Sequence, residues 1–376
     1  MVYDRSSRKR SFPVKIGLIQ HNSPDASRIN SPSETCHVDV EIHTELVIQT
    51  SSILNRYDKM NLFFSLPKRQ PRISGLVWLT SIGAFLAHSS GQEPAMEQAL
   101  QDAGAVVEVY KTTQDADGKQ VALNMYIFKP ENHQSTDRRP AIVFYFGGGW
   151  RGGKPSQFTE HCKYLASRGM VAMTADYRVS SRHGTPAVKC VSDGKSGVRW
   201  VRENADRLGV DPARIASGGG SAGGHVAACT GVIELYDDKD DNLKISSSPN
   251  AMILFNPALA LAPVEGSPKV NATKMKTLKQ RTGVEPKTIS PVHHVQADAP
   301  PTIIFHGKAD TTVPFWSAEL FTKRMIAAGN QCKLIGYEGQ GHGFFNSSRK
   351  NGKYKETTKE MDSFLVKIGW LTARKQ

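Results

Sequence analysis

The run Gly219-Gly220-Ser221-Ala222-Gly223 sets a single hydroxyl among residues with almost no side chain. A serine nucleophile sits on a sharp strand-to-helix turn, where strained and crowded backbone needs small neighbours on both sides. Gly219 and Gly223 meet that need, and a helix starting after Ser221 would aim its amide end at the reacting atom. The same glycines also spell Gly218-x-Gly220-x-x-Gly223, with Asp237 downstream, which is the pattern of a dinucleotide cradle. That cradle belongs on the first strand of its sheet, whereas at least four strand-like runs precede Ser221. About seventy residues earlier, Phe146-Gly147-Gly148-Gly149-Trp150 ends an apolar run, and its three glycines would let backbone N–H groups face a developing oxyanion. Two further motifs each follow a strand-like run: His306-Gly307-Lys308-Ala309-Asp310-Thr311-Thr312-Val313-Pro314, and Gly339-Gln340-Gly341-His342-Gly343-Phe344-Phe345. Serine, then acid, then histidine is one chain order of a hydroxyl nucleophile, its base and the group that orients the base. The chemistry so implied is acyl transfer.

These residues need a scaffold, and the pattern supplies one. Val106 to Thr112, the turn Asp115-Ala116-Asp117-Gly118 and Val121 to Phe128 predict a β-hairpin. Ala141 to Phe146 is continuously apolar, as a strand buried on both faces should be. A helix near 157–168, a strand from Met170 to Ala175 and a helix over 188–207 follow, the last with Val191, Val198, Val201 and Leu208 on one side. Strand 214–217, helix 222–235, strands 251–255 and 302–306, helix 316–328, strand 333–337 and helix 356–370 continue the alternation. Such alternation predicts an α/β fold, a mainly parallel sheet covered by helices on both faces. Residues 257–299 break the rhythm with five prolines and no strand, and are expected to form a short lid.

Composition narrows the class. The 376 residues are 39% apolar, which excludes disorder throughout, and 22% charged, with a net charge of +13. The basic excess is +4 before residue 92 and +9 after it, so no single arm collects it. No nucleic-acid motif accompanies the charge, and no nucleic-acid partner is expected. Five Cys exclude a disulfide scaffold; Cys162, Cys190, Cys229 and Cys332 allow three full pairings. No metal cluster is expected: His293-His294 are adjacent on a loop, where side chains rarely converge on one ion.

The first 92 residues differ from the rest. Residues 1–59 are expected to be a non-functional or disordered extension, apart from one short alternating run at Val38, Val40 and Ile42. Residues 60–91 have the order of a secretory leader: Lys68, Arg69 and Arg72, the 15 apolar-rich residues from Ile73 to Ala87, then small residues at Ser89, Ser90 and Gly91. Fifteen residues fall short of the roughly 20 that span a bilayer. The expectation is therefore a start at Met60, export to the periplasm or the medium, and no stable membrane span in the mature form.

Taken together, the four motifs resemble the α/β-hydrolase superfamily, in its esterase/lipase branch with an HGGGW-type loop. Within that branch they resemble the acetyl esterases and the bifunctional carbohydrate/feruloyl esterases. The resemblance covers roughly residues 104–372 and none of 1–92. It implies a serine esterase domain over 92–376, with Ser221 as nucleophile, His342 as general base and Asp310 as its orienting acid. The amides of Gly148, Gly149 and Ala222 would form the oxyanion hole. Trp150, His225, Asn256 and Trp316, near the motif ends, are candidates to line the substrate cleft. No cofactor is implied, and the substrate would be a small-molecule or polysaccharide ester with a short acyl group, acetyl foremost. One residue departs from the pattern: Phe146 stands where the family has a histidine that supports the loop. Competing classes are a prolyl-oligopeptidase-like peptidase, a dinucleotide-dependent oxidoreductase and a catalytically silent carbohydrate-binding relative.

Overall fold

The structure is a computed structural model that describes residues 92–269 and 271–374. The strand-like run at 38–42 and the leader-like segment 60–91 lie outside the described residues. The chain enters through helix α1 (Gln92–Asp102), which the sequence pattern does not announce. Strands β1 (Val106–Gln114) and β2 (Gln120–Phe128) then form the expected antiparallel hairpin. Asp115 closes its turn, one carboxylate oxygen accepting from the Asp117 and Lys119 amides.

From there strands and helices alternate. Strand β3 (Arg139–Tyr145) leads to helix α2 (Thr159–Ser167), strand β4 (Val171–Ala175), the single turn α3 (Ser180–His183) and helix α4 (Ala187–Glu203). Strand β5 (Val210–Gly220) leads to helix α5 (Ala222–Val232), strand β6 (Ala251–Phe255) and helix α6 (Ala272–Thr282). Strand β7 (Thr302–Gly307), helix α7 (Trp316–Ala327), strand β8 (Cys332–Tyr337) and helix α8 (Tyr354–Lys367) complete the chain. The eight strands form one sheet in the order β1-β2-β4-β3-β5-β6-β7-β8. β2 runs antiparallel to both its neighbours, and all later pairings are parallel. The chain leaves β3 toward β4 on one side and returns to β5 on the other, so a switch point opens at their carboxyl ends. Open α/β sheets bind ligands at such points.

Both faces of the sheet are covered. Ala141, Val143 and Tyr145 point into one core with α4 and α5, while Ile142 and Phe144 point into the other with α2 and α8. The two-residue period of a strand divides one apolar run between two cores. The first core also holds buried charge. Asp193 on α4 is fully buried and bonded to Lys111 at 2.8 Å and to Arg178 at 2.7 Å. Lys111 also reaches Asp238 at 2.6 Å. Burial pushes the Asp238 carboxyl up, but the Lys111 hydrogen bond and charge outweigh it and hold the group at about 2. Lys195 donates to the carbonyls of Ile233, Glu234 and Leu235 and to Asp237, all within 3.1 Å. It therefore ties down the residues that follow α5. Buried charges so fully partnered specify one arrangement, because losing one partner strands the other.

The four cysteines 162, 190, 229 and 332 are free. Cys162 belongs to one core and Cys190 and Cys229 to the other, with the sheet between them.

His161 on α2 is fully buried among Phe144, Phe158, Phe255, Phe345 and Tyr354, and neither ring nitrogen finds a hydrogen-bond partner. Burial alone pushes its pKa from 6.5 down to about 3. Folding thus selects the neutral ring. Its contribution to stability is intact above pH 6.5 and falls as the pH drops toward 3, by up to about 1.4 kcal/mol per unit. His161→Phe is expected to keep the fold and to flatten the acid limb. Calorimetric melting between pH 7 and 4.5 checks this: the variant should lose fewer degrees than the parent.

Candidate active site

Ser221 is the first residue past β5, and its backbone is strained. Its φ of 55° and ψ of −117° lie outside the regions open to ordinary L-residues. The turn is fixed by Ser221 N–H donating to Phe255 O at 2.9 Å and by His225 N–H donating to Ser221 O at 2.9 Å. Crowding explains the glycines. A Cβ on Gly219 would lie 2.6 Å from Tyr145 O, and one on Gly223 would lie 2.0 Å from the same atom. A Cβ on Gly220 would strike the Phe345 ring at 2.4 Å. These glycines are packed against protein, which leaves no room for a pyrophosphate. Asp237, the acid of that alternative pattern, is paired with Lys195 and Arg199.

The structure brings Ser221, His342 and Asp310 together. His342 Nε2 lies 2.9 Å from Ser221 Oγ, and His342 Nδ1 lies 2.7 Å from Asp310 Oδ2. Asp310 Oδ1 accepts from the amides of Thr312 and Val313 at 2.8 and 2.9 Å. Burial alone would raise the Asp310 pKa, but bonds from His306, His342 and the Val313 amide hold it well below the usual carboxylate range. His306 Nε2–H donates to Val313 O at 2.8 Å and sits 3.5 Å from Asp310 Oδ2, bracing the carboxylate. The acid therefore stays charged and fixed. An imidazole held in this way can accept a proton from the hydroxyl, its other nitrogen being committed to the acid.

The glycine loop after β3 lies against this chain of bonds: a Cβ on Gly147 would be 3.2 Å from Ser221 Cβ. Four of its carbonyls are bonded within the protein. Phe146 O accepts from Tyr177 OH at 2.5 Å, Gly148 O from the Arg151 and Gly152 amides, and Trp150 O from the Ser180 amide. Gly149 O accepts from Arg281 Nη2 at 2.6 Å. The N–H groups of Gly148, Gly149 and Ala222 have no acceptor among the described residues. Phe146 stacks on Tyr177 with centroids 4.1 Å apart, so an aromatic pair supports the loop. Gln157 completes the support. Its Oε1 accepts from Gly147 N–H at 2.6 Å, and its Nε2 donates to Asn346 past His342 at 2.9 Å.

Three of the other four candidates are buried. Trp150 is 6% exposed, with a positive φ of 60°, and its Nε1–H donates to His225 Nδ1 at 3.2 Å. His225 is fully buried, donates to Ile289 O at 2.6 Å and is pushed by burial down to about 4. Asn256 is fully buried and accepts from the Gly343 amide at 3.0 Å, which holds the His342 loop. Burial removes His225 and Asn256 from the cleft they were expected to line. Trp316 is half-buried at the start of α7. His293 is tied to Ser290 and Pro263, and His294 to Lys287. Among the described residues no group of His, Cys, Asp and Glu could hold a metal, and no helix is long and apolar enough to cross a membrane.

A mostly parallel sheet with this strand order, carrying a strained serine between strand and helix and an acid and a histidine on later loops, defines an α/β-hydrolase. Residues 125–325 match the BD-FAE family, and the chain belongs to it. Esterase 2 of Thermogutta terrifontis is 50% identical with a TM-score of 0.68, over 73% of this chain and 95% of that one. The same esterase has been solved with propionate bound, at 50% identity and a TM-score of 0.67 over 72% and 97% of the two chains. Esterase LipC of Mycobacterium tuberculosis is 28% identical over 222 residues, 56% of this chain and 54% of LipC. The chain spans about half the length of the curated relatives it matches.

Gly148 has a φ of +133°, and a Cβ there would lie 2.1 Å from Gly152 O. Gly148→Ala is expected to cost more than about 2 kcal/mol of stability. Gly118→Ala, at φ +79° with open space around it, should cost about 1 kcal/mol. Urea unfolding of the two variants checks the order.

Proposed function

We propose that the protein is a serine carboxylic-ester hydrolase that works through an acyl-enzyme on short acyl esters, acetyl foremost, of carbohydrates or small alcohols. The observation that carries the reading is the bonded chain Ser221–His342–Asp310, at 2.9 and 2.7 Å. Ser221 Oγ attacks the ester carbonyl as His342 Nε2 takes its proton, and Asp310 holds the ring and stabilises the imidazolium. The carbonyl oxygen becomes an oxyanion facing the amides of Gly148, Gly149 and Ala222. His342 then hands the proton to the departing alcohol, and water activated by the same ring releases the acid. Family membership supports the ester class, and the propionate held by the Thermogutta relative supports a short acyl group. Residues 257–299 act as a small lid over the site. The leader-like segment 60–91 supports export, and N-terminal sequencing of the exported protein should find a mature end between about Ser89 and Glu93.

Ser221→Ala should lower the hydrolysis of nitrophenyl acetate by several powers of ten and leave the melting temperature near that of the parent. A fluorophosphonate should label the parent at Ser221 and leave the variant unlabelled. In a nitrophenyl series, kcat/KM should peak at two to four carbons, on the order expected of a small acyl pocket. Retained activity without label on Ser221 overturns the mechanism, and a preference for ten or more carbons overturns the substrate class.

A further inference from the structure

An oxyanion site built from backbone amides on a run of glycines has no side chains of its own to hold it in place. The peptide that joins Phe146 to Gly147 is instead gripped at both polar ends. Phe146 O accepts from Tyr177 OH at 2.5 Å, and Gly147 N–H donates to Gln157 Oε1 at 2.6 Å. The next peptide carries the Gly148 N–H. Gln157 stands on a fixed support, the 3-10 turn Pro155–Phe158. Pro155 O accepts from Thr174 Oγ1 at 2.9 Å, and the fully buried Phe158 ring stacks on Phe144 with centroids 4.6 Å apart.

The other end of the Gln157 amide runs toward the base. Its Nε2 donates to Asn346 Oδ1 at 2.9 Å, and Asn346 Nδ2 donates to Gly343 O at 2.8 Å. Gly343 directly follows His342, and its N–H donates to Asn256 Oδ1 at 3.0 Å. The residue beside the base is thus held at both its polar groups. The ends of the chain set its direction: Gly147 N–H can only donate and Gly343 O can only accept, which orients both side-chain amides between them. Gln157 and Asn346 are half-buried, whereas the neighbouring Phe158 and Phe345 rings are buried and stacked 5.8 Å apart. Packing therefore holds the two segments together, and the amides set their alignment.

We infer that Gln157, acting through Asn346, is a positioning residue that fixes the oxyanion-facing amides and the base His342 in one mutual geometry. The inference rests on the esterase reading above and adds a residue that touches neither the substrate nor the reacting atoms. Acylation and deacylation both need the amides and the ring at once, so a loosened link slows turnover and leaves substrate binding nearly unchanged. A misplacement on the order of 1 Å can cost about 100-fold in rate. One link among several braces should cost about tenfold.

The test measures turnover of nitrophenyl acetate by the full chain. Gln157→Met keeps nearly the same size without the amide. It should lower kcat about tenfold with KM within about twofold of the parent, and lower the melting temperature by less than about 5 °C. Asn346→Leu should do the same. In the double variant the losses should not multiply, because both substitutions open one chain, and kcat should stay within about twofold of the slower single variant. Gln157→Glu gives a second reading. Its carboxylate can accept from Gly147 but cannot donate to Asn346, whereas the protonated acid can do both. The kcat ratio of this variant to the parent should rise at least about twofold from pH 8 to pH 5, as a carboxyl ordinarily near 4.3 begins to take up its proton. A negative charge acting on its own would favour the protonated imidazole and lower the ratio in acid, the opposite sign. Full kcat in folded Gln157→Met, with Ser221 still labelled by a fluorophosphonate, overturns this inference and leaves the esterase reading standing. A change confined to KM, losses that multiply in the double variant, or a ratio that falls in acid overturns it equally. If Gln157→Met does not fold, Asn346→Leu and Gln157→Glu decide by the same readings. No hydrolysis by the parent overturns both readings.

Discussion

The site depends on how closely two backbones approach. β3 and β5 are neighbours, and the turns at their carboxyl ends interlock so tightly that Gly219 and Gly223 have carbonyl oxygens of Tyr145 and Phe146 where a side chain would be. That contact sets the serine turn against the glycine loop, with Ser221 strained at φ 55° and Gly148 at a φ of +133° that residues with a side chain rarely adopt. Strain of this kind persists only where the surroundings over-determine it. Here the surroundings are the Phe255 carbonyl behind Ser221, the Tyr177 hydroxyl under Phe146 and the Gln157 amide under Gly147. Hydrogen-bond donors held in advance need no rearrangement when charge develops, and such preorganisation is a large part of electrostatic catalysis.

Much of this was legible in the sequence, for definite reasons. A strand buried on both faces is a continuous apolar run, so β3, β4, β6 and β7 announced themselves within a residue or two. Ser221, Asp310 and His342 were legible because each follows its own strand among glycines. The helices at the margins were not. α1 and α6 are short and largely polar on their outer faces, so no apolar stripe marks them. The caps of α6 were nevertheless present: Asn271 accepts from the Lys274 amide, and Gly283 ends the helix at φ 75°. β5 begins at Val210 rather than at 214, because Val210 pairs with Arg139 across a register shift.

The supporting residues were illegible for another reason. Gln157, Tyr177, Arg281 and Arg349 reach the site through space, from a 3-10 turn, a loop, a peripheral helix and a surface turn. Nothing about a glutamine or a tyrosine in isolation marks it as a brace. His225 shows the converse. Its place one turn after Ser221 suggested contact with substrate, and the fold instead buries it between Trp150 and Ile289 as a neutral ring passing one hydrogen bond on to the next.

α5 begins directly after Ser221, and the residues flanking both of its ends are tied down. At its head the Ser221 amide is bonded to Phe255 O, and just past its tail the buried Lys195 ammonium gathers the carbonyls of Ile233, Glu234 and Leu235 and the Asp237 carboxylate. Anchoring on either side of the helix opposes fraying, the ordinary fate of a helix end. The segment next to Ser221 is therefore expected to open late, and hydrogen exchange along it should follow global rather than local opening. Heat inactivation should then coincide with the unfolding transition instead of preceding it.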